Sequence, residues 1–261
     1  MKLLQRSLPG LLLCLAFLFS AVSSADAPVI PLPADVAKDL ELLGKGVVGK
    51  PIPAPVIDDV IPWYMGSPGG GEWTYDVTKG DKSHSRVETI KPAKARNGQK
   101  AWSQQIGDQY VQHMQQHVDG GLGKYSEDDL ELSYGCHFHP GLALAPGLKP
   151  GQTVEVKQKA LAYKMGHPDK TAYTGDMDIK LYYVGAYEVK TPAGLFPAVL
   201  VRAEFDIKIG PAKVKDVQYS FYTKGVGKVA EIEGLKVSAL LVYNSNEKSA
   251  KVLAKKPAHA N

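Results

Sequence analysis

The run from Ala198 to Ile209 alternates with a period of two. Val199, Val201, Ala203, Phe205, Ile207 and Ile209 fall on one side, and Arg202, Glu204, Asp206 and Lys208 on the other. Only an extended strand with one face buried and one in water satisfies this pattern, because successive strand side chains leave on opposite faces. The period recurs elsewhere. Ile179, Leu181, Tyr183, Tyr187 and Val189 share a face of 178–189, and Leu235, Val237, Ala239, Leu241 and Tyr243 share a face of 235–243, read as one strand. Weaker alternation runs through 72–78, 86–91, 100–106, 109–118, 153–163 and 214–223. Gly, Pro and Asp turns separate these runs, and almost no long helical period intervenes, which argues against a parallel α/β architecture. The expected fold is mainly β: a curved antiparallel sheet or half-open barrel with one short N-terminal helix.

Four segments follow along the chain. Residues 1–25 read as a removable signal peptide: Lys2 and Arg6, then an apolar run from Leu8 to Phe19, then small residues from Ser20 to Ala27. That run is about 12 residues, short of the roughly 20 that cross a bilayer. The mature chain is expected to begin between Ala25 and Pro28 and to be exported. Cys14 does not read as a lipid-attachment site, since Leu13 is not small and apolar residues continue beyond it. Residues 26–70 form a proline-rich arm, with eight of the 18 prolines between Pro28 and Pro68. Within it 35–43 reads as a helix, capped by Asp35, with Val36, Leu40 and Leu43 on one face and Gly44 at its end. Lys50 to Val56 reads as a stiff polyproline connector. The β-rich domain spans 71–244, and 245–261, polar and lysine-bearing, reads as a flexible basic tail.

Removal of the leader takes Lys2 and Arg6, leaving 29 basic residues against 27 acidic ones. So small an excess gives no case for nucleic acid as a partner. Only Cys136 remains, so no intramolecular disulfide forms and packing alone stabilises the domain. No second apolar run reaches membrane-spanning length, so no transmembrane segment is expected in the mature chain.

The familiar catalytic templates are missing: there is no Gly-x-Ser-x-Gly elbow, no His-Glu-x-x-His and no phosphate-cradling loop. Gly69-Gly70-Gly71 lacks the lysine and hydroxyl such a loop needs and reads as a hinge. Cys136 as a nucleophile would need a neighbouring cation or base. The histidines carry the alternative chemistry. In Cys136-His137-Phe138-His139, an extended chain puts His137 and His139 on one face about 6.5 to 7 Å apart. His113 and His117 are adjacent if helical and roughly 13 Å apart if extended. Were both pairs to meet across neighbouring strands, with Cys136, they would make a zinc or copper site. The plainer reading is ordinary sheet-surface histidines, a packed cysteine, and no catalytic residue or cofactor. The aromatics Tyr182, Tyr183, Tyr187, Tyr219, Phe221 and Tyr222 read as core, with a lipophilic groove as the alternative.

Three segments carry a resemblance. They are Leu144-Ala-Pro-Gly-Leu-Lys-Pro-Gly-Gln-Thr153, Val189-Lys-Thr-Pro-Ala-Gly-Leu-Phe196 and Phe221-Tyr-Thr-Lys-Gly-Val-Gly-Lys-Val229. Over roughly 130–243 the chain resembles the TapB-like exported bacterial proteins of unknown function. Those proteins often carry tryptophan where this chain has Phe221. The resemblance implies a fold similar to periplasmic lipoprotein carriers, a half-open barrel around a lid helix that can hold acyl chains, and places the protein in the periplasm, with the extracellular space as the alternative. It transfers no catalytic residue. The expected function is therefore a noncatalytic binding or carrier protein for a lipophilic ligand. The alternatives are a metal-binding exported protein and an envelope scaffold that contacts an envelope protein through its arm and tail.

Overall fold

The computed structural model describes residues 27–141, 144–239 and 243–258, so the expected signal peptide lies outside the described residues. Twelve of its strands form an up-and-down antiparallel meander. They are β2 (Gly71–Lys79), β3 (Lys82–Arg96), β4 (Gln99–Ile106), β5 (Tyr110–Gln116), β6 (Leu122–Asp129), β7 (Tyr134–His139), β8 (Thr153–Lys164), β9 (Thr171–Thr191), β10 (Gly194–Ile209), β11 (Ala212–Thr223), β12 (Gly227–Ala239) and β13 (Tyr243–Lys255). Each pairs with the next, and β13 pairs with β2, so the expected curved antiparallel sheet is present and closes into a 12-strand barrel. The Pro192-Ala193 loop turns β9 into β10, with Gly194 at φ 139° and the Ala193 amide donating to Thr191 Oγ1 at 3.2 Å.

Two boundaries differ from the sequence reading. The segment 245–261, expected to fray, supplies β13, which closes the barrel over Tyr243–Lys255. Its polarity misleads because alternate residues face water: Lys248 is exposed, while Lys251 and Leu253 are buried. The run 235–243 is two strands, not one, since β12 ends at Ala239 and β13 begins at Tyr243.

Residues opposite each other on paired strands share a side. One row runs Ile179, Phe205, Asp216, Leu235 across β9 to β12. Another runs Val201, Ser220, Glu231, Lys251, Val77 from β10 to β2. Both rows line the bore. The outer side carries Arg202, Glu204, Asp206 and Lys208, with cross-strand ion pairs Lys180–Glu155 at 3.4 Å and Lys215–Asp206 at 3.6 Å. Charges on this outer wall are what water solvates and a hydrocarbon layer does not.

Barrels of about eight strands are filled by their own side chains, and wider ones are not. Here the arm helps fill the space. Helix α1 (Ala34–Asp39) and the 3-10 turn Leu40–Leu43 lie outside on β11 to β13: Val36, Leu40 and Leu43 are buried, and the Tyr219 hydroxyl donates to Asp39 Oδ2 at 2.6 Å. Asp35 sits within the first turn instead of capping it, because the helix starts at Ala34 behind Pro33. Strand β1 (Val48–Ile52) then adds to the part of β9 that runs beyond β8. Past this rim the chain turns inward. Residues 54–68, with the short helix α2 (Val60–Tyr64), plug one end of the bore. The Pro55 carbonyl accepts from Tyr183 Oη at 2.8 Å, the Pro68 carbonyl accepts from Trp102 Nε1 at 2.9 Å, and Tyr64 stacks on Tyr222. Gly70 is no free hinge: its φ is 72°, and a Cβ there would lie 2.1 Å from the Ile90 carbonyl oxygen.

Ile57 is fully buried and bonds through its backbone to Leu148 and Gly147, so Ile57→Ala leaves a cavity the plug cannot close. We expect a loss of about 2–5 kcal/mol, read from urea unfolding. A loss below about 1 kcal/mol would show the plug to be dispensable packing.

Candidate functional site

Next to the plug the bore is crossed by a chain of alternating charges. Glu88 on β3 accepts from Arg86 Nη2 at 2.8 Å, Gln104 Nε2 at 3.1 Å and Lys251 Nζ at 2.7 Å. Lys251 on β13 also meets Glu231 Oε1 at 3.2 Å, and Glu231 accepts from Ser220 Oγ at 2.8 Å and from Lys228. Tyr75, between β3 and β13 on β2, lies under the Lys251 ammonium, 4.7 Å from ring centre to Nζ. Burial by itself raises a carboxyl pKa, yet Lys251 and Arg86 outweigh it at Glu88, and Lys228 and Lys251 outweigh it at Glu231, so both carboxyls are held low. Burial would lower Lys228, but Glu231 holds it high. A cavity of about 10 Å³ between Tyr64, Trp73, Glu88, Gln104 and Lys228 is water-sized at most, and Gln104 Oε1 beside it has no hydrogen-bond partner among the described residues. This end of the bore is full.

Beyond that chain the character changes. Asp216 on β11 and Glu233 on β12 face the bore with Gln218 between them, whose Nε2 donates to Asp216 Oδ2 at 2.6 Å and approaches Glu233 Oε1 at 3.4 Å. Asp216 is 8% exposed, and its Oδ1 is buried with no partner among the described residues. Burial, and then the nearby Glu233 charge, push the Asp216 carboxyl up to about 7. Burial and Glu231 push Glu233 up as well. From the opposite wall, Lys124 acts on Asp216, and Glu127 acts on Glu233. Glu127 itself is satisfied by Lys124 Nζ at 2.7 Å and Gln112 Nε2 at 2.6 Å.

Toward the far end, which carries the β8–β9 and β10–β11 turns, the bore wall formed by β9 to β12 is aliphatic, while Glu247 on β13 lies opposite Leu235 and Asp129 on β6 lies opposite Tyr110. Phe205, Ile207, Ile209, Val214, Leu235 and Val237 point inward yet are only half-buried, whereas Met177 and Ile179 beside them are buried. No segment of the arm reaches them among the described residues. The bore therefore has a plugged end, an ionic middle and an open apolar end.

The predicted metal ligands are divided by strand geometry. Cys136 lies on the bore side, while its neighbours His137 and His139 lie on the outer side; His137 packs on the Tyr163 ring at 4.4 Å, and His139 is exposed. His113 shares their side through Ser126, but it faces Asp128 at 3.6 Å. His117 lies past the end of β5 against Gly123, where a Cβ would come within 2.1 Å of its Nε2. Among the described residues, no three His, Cys, Asp or Glu side chains gather as a metal site. Burial, then Glu127, push the Cys136 thiol up to about 12, which disfavours the thiolate a nucleophile requires. The ionic chain and the carboxyl pair were not singled out from sequence. Glu88, Asp216, Glu231, Glu233 and Lys251 interrupt apolar stretches at inward positions, and that placement is the signal that could have found them.

No family model matches this chain, and no curated protein matches it in sequence. Among solved structures it is similar to a protein from Bacteroides fragilis described as exported and as having a YmcC-like fold, with 16% identity and a TM-score of 0.44, over 74% of this chain and 98% of that one. It is also similar to a protein from Parabacteroides distasonis described as a lipoprotein, at 13% identity and a TM-score of 0.38, over 74% and 97% of the two chains. The Escherichia coli hypothetical lipoprotein YmcC aligns at 9% identity with a TM-score of 0.35, over 72% and 88%. At these values no residue role transfers.

Two outcomes follow from the charges. Lys251→Met strips Glu88 and Glu231 of their shared partner, and removing one side of a buried pair costs about 3–5 kcal/mol. Adding Glu88→Gln should restore part of that loss in urea unfolding; a single variant as stable as wild type would contradict the ionic chain. The second concerns pH. Asp216 has its carboxyl near 3.8 when unfolded and about 7 when folded, so the fold binds its proton more tightly. Its stabilising contribution is complete below about pH 4 and is lost as pH rises through about 7. Asp216→Asn should therefore melt higher than wild type at pH 8 and no higher at pH 4, and parallel melting curves at all pH values would refute the raised carboxyl.

Proposed function

We propose that the protein is an exported, noncatalytic binding protein that holds a lipophilic ligand in the open end of its bore. The observation that carries this reading is the row of inward-facing but half-buried aliphatic side chains, Ile207, Ile209, Val214, Leu235 and Val237 with Phe205. Apolar side chains aimed into a barrel and left partly uncovered by their own chain are a binding surface by their chemistry, since covering them releases water. The plugged end supports the same reading from the other direction: Tyr64, Trp73 and Trp102 are packed against the chain itself there, which leaves the uncovered apolar side chains at the other end. The leader-like residues 1–25 support export, and the mixed charges on β8 to β11 suit a barrel bathed in water.

Binding of the neutral dye N-phenyl-1-naphthylamine tests it. Fluorescence should rise saturably with wild type and fall away in an Ile207→Arg/Val237→Arg variant whose circular dichroism is unchanged. A wild type that leaves the dye dark, or a variant that binds as well, would sink the reading.

A further inference from the structure

The charges around the middle of the bore do not balance. Glu88, Glu127, Asp216, Glu231 and Glu233 stand against Arg86, Lys124, Lys228 and Lys251, five acids to four bases among the described residues. Four of the acids have partners that account for them or share a donor. Glu88 and Glu231 are held by the ionic chain, Glu127 by Lys124 and Gln112, and Glu233 shares Gln218 with Asp216. The remainder is Asp216, nine-tenths buried on the bore side of β11, with Oδ1 buried and accepting no hydrogen bond from the described residues. A buried, unpaired carboxylate oxygen is costly to keep, so the site requires one positive charge, either a proton or something in its place.

Every element packed around Asp216 fits such an occupant. Gln218 on its own strand already spends its amide on Oδ2. β12 presents Glu231, Glu233 and Leu235, and β10 presents Phe205. The facing wall presents Glu127 and Lys124, with Tyr110 near Glu233. Lys124 is committed to Glu127. Glu233 is half-buried and lies one inward row nearer the plug than Asp216, which shares its own row with Phe205 and Leu235, where the aliphatic wall begins. Carboxyls at the floor and aliphatic side chains up the wall match a ligand with a charged head and an apolar tail.

We propose that Asp216 and Glu233 anchor the ammonium head of an alkylammonium-type ligand, with its chain lying along Phe205, Ile207, Val214, Leu235 and Val237. This rests on the reading that the open end holds an apolar ligand, and it adds the ligand's charge. The head donates to Asp216 Oδ1 and to Glu233, and the proton held by the carboxyl pair leaves to solvent, so one positive charge replaces another and the bore stays neutral.

Three probes with one chain and three heads test it: octylammonium, octanol and octanoate, titrated calorimetrically into the full mature chain at pH 6. Wild type should bind octylammonium at least about tenfold more tightly than octanol, and octanoate weakest. Repeating the octylammonium titration in buffers of different ionisation enthalpy should show about one proton released. Asp216→Asn/Glu233→Gln should bring octylammonium to the affinity of octanol and abolish proton release, while octanol binding stays. Asp216→Asn alone serves if the double variant loses its circular dichroism signal. Equal binding of octanol and octylammonium by wild type would overturn the anchor and leave the apolar site standing. Preference for octylammonium that survives both substitutions would also overturn it. If none of the three binds, the apolar site fails and the anchor with it.

Discussion

Closure of β13 onto β2 is the constraint on which the rest of this structure depends. Twelve strands joined edge to edge close the barrel's ladder on itself, but they enclose more space than side chains from the wall can fill. The chain meets that problem in two ways at one end. It folds residues 54–68 inward as a plug, and it lines the neighbouring wall with Trp73, Trp102, Tyr183 and Tyr222, whose polar atoms or rings engage the plug or the adjoining turn. The prolines of the arm suit the crossing, because extended, stiff backbone passes over the rim without asking for ladder partners.

The ionic chain is the second consequence of the wide bore. Charged groups in a narrow core would crowd one another or remain unpaired; here there is room for Arg86, Glu88, Lys251, Glu231 and Lys228 to alternate from β3 to β12. Replacing such a chain with apolar residues is often neutral or stabilising, so its presence argues more for a defined interior than for added stability. It also separates two environments. On the plug side lies a packed aromatic core; on the other lie the Asp216–Glu233 pair and a half-covered aliphatic wall. Polarity along one bore is thus graded from one end to the other.

Much of the fold was legible residue by residue. The alternation at Val199 to Ile209 and at Ile179 to Val189 marks β10 and β9, and Val36, Leu40 and Leu43 are buried as their helical spacing predicts. Strand β13 was hidden because its outward Lys248 and inward Lys251 look alike in a list of residues, and only the pairing with β12 and β2 tells them apart. The histidines were over-read for the converse reason. His113, His137 and His139 do share a side, but neighbours such as Tyr163 and Asp128 occupy them, and Cys136 turns away with the strand's own period.

By itself the sequence determined what local physics controls: strands from period-two patterning, turns from proline and glycine, and an amphipathic helix in the arm. Tertiary structure alone decided that the sheet closes, which end is plugged, and which charges meet. Those outcomes depend on contacts between residues far apart in the chain, such as Lys251 with Glu88 and Tyr183 with Pro55. A residue's own type and spacing carry no record of the partner that closure brings to it, so the bore and its unbalanced carboxyl belong to the fold and not to any one segment.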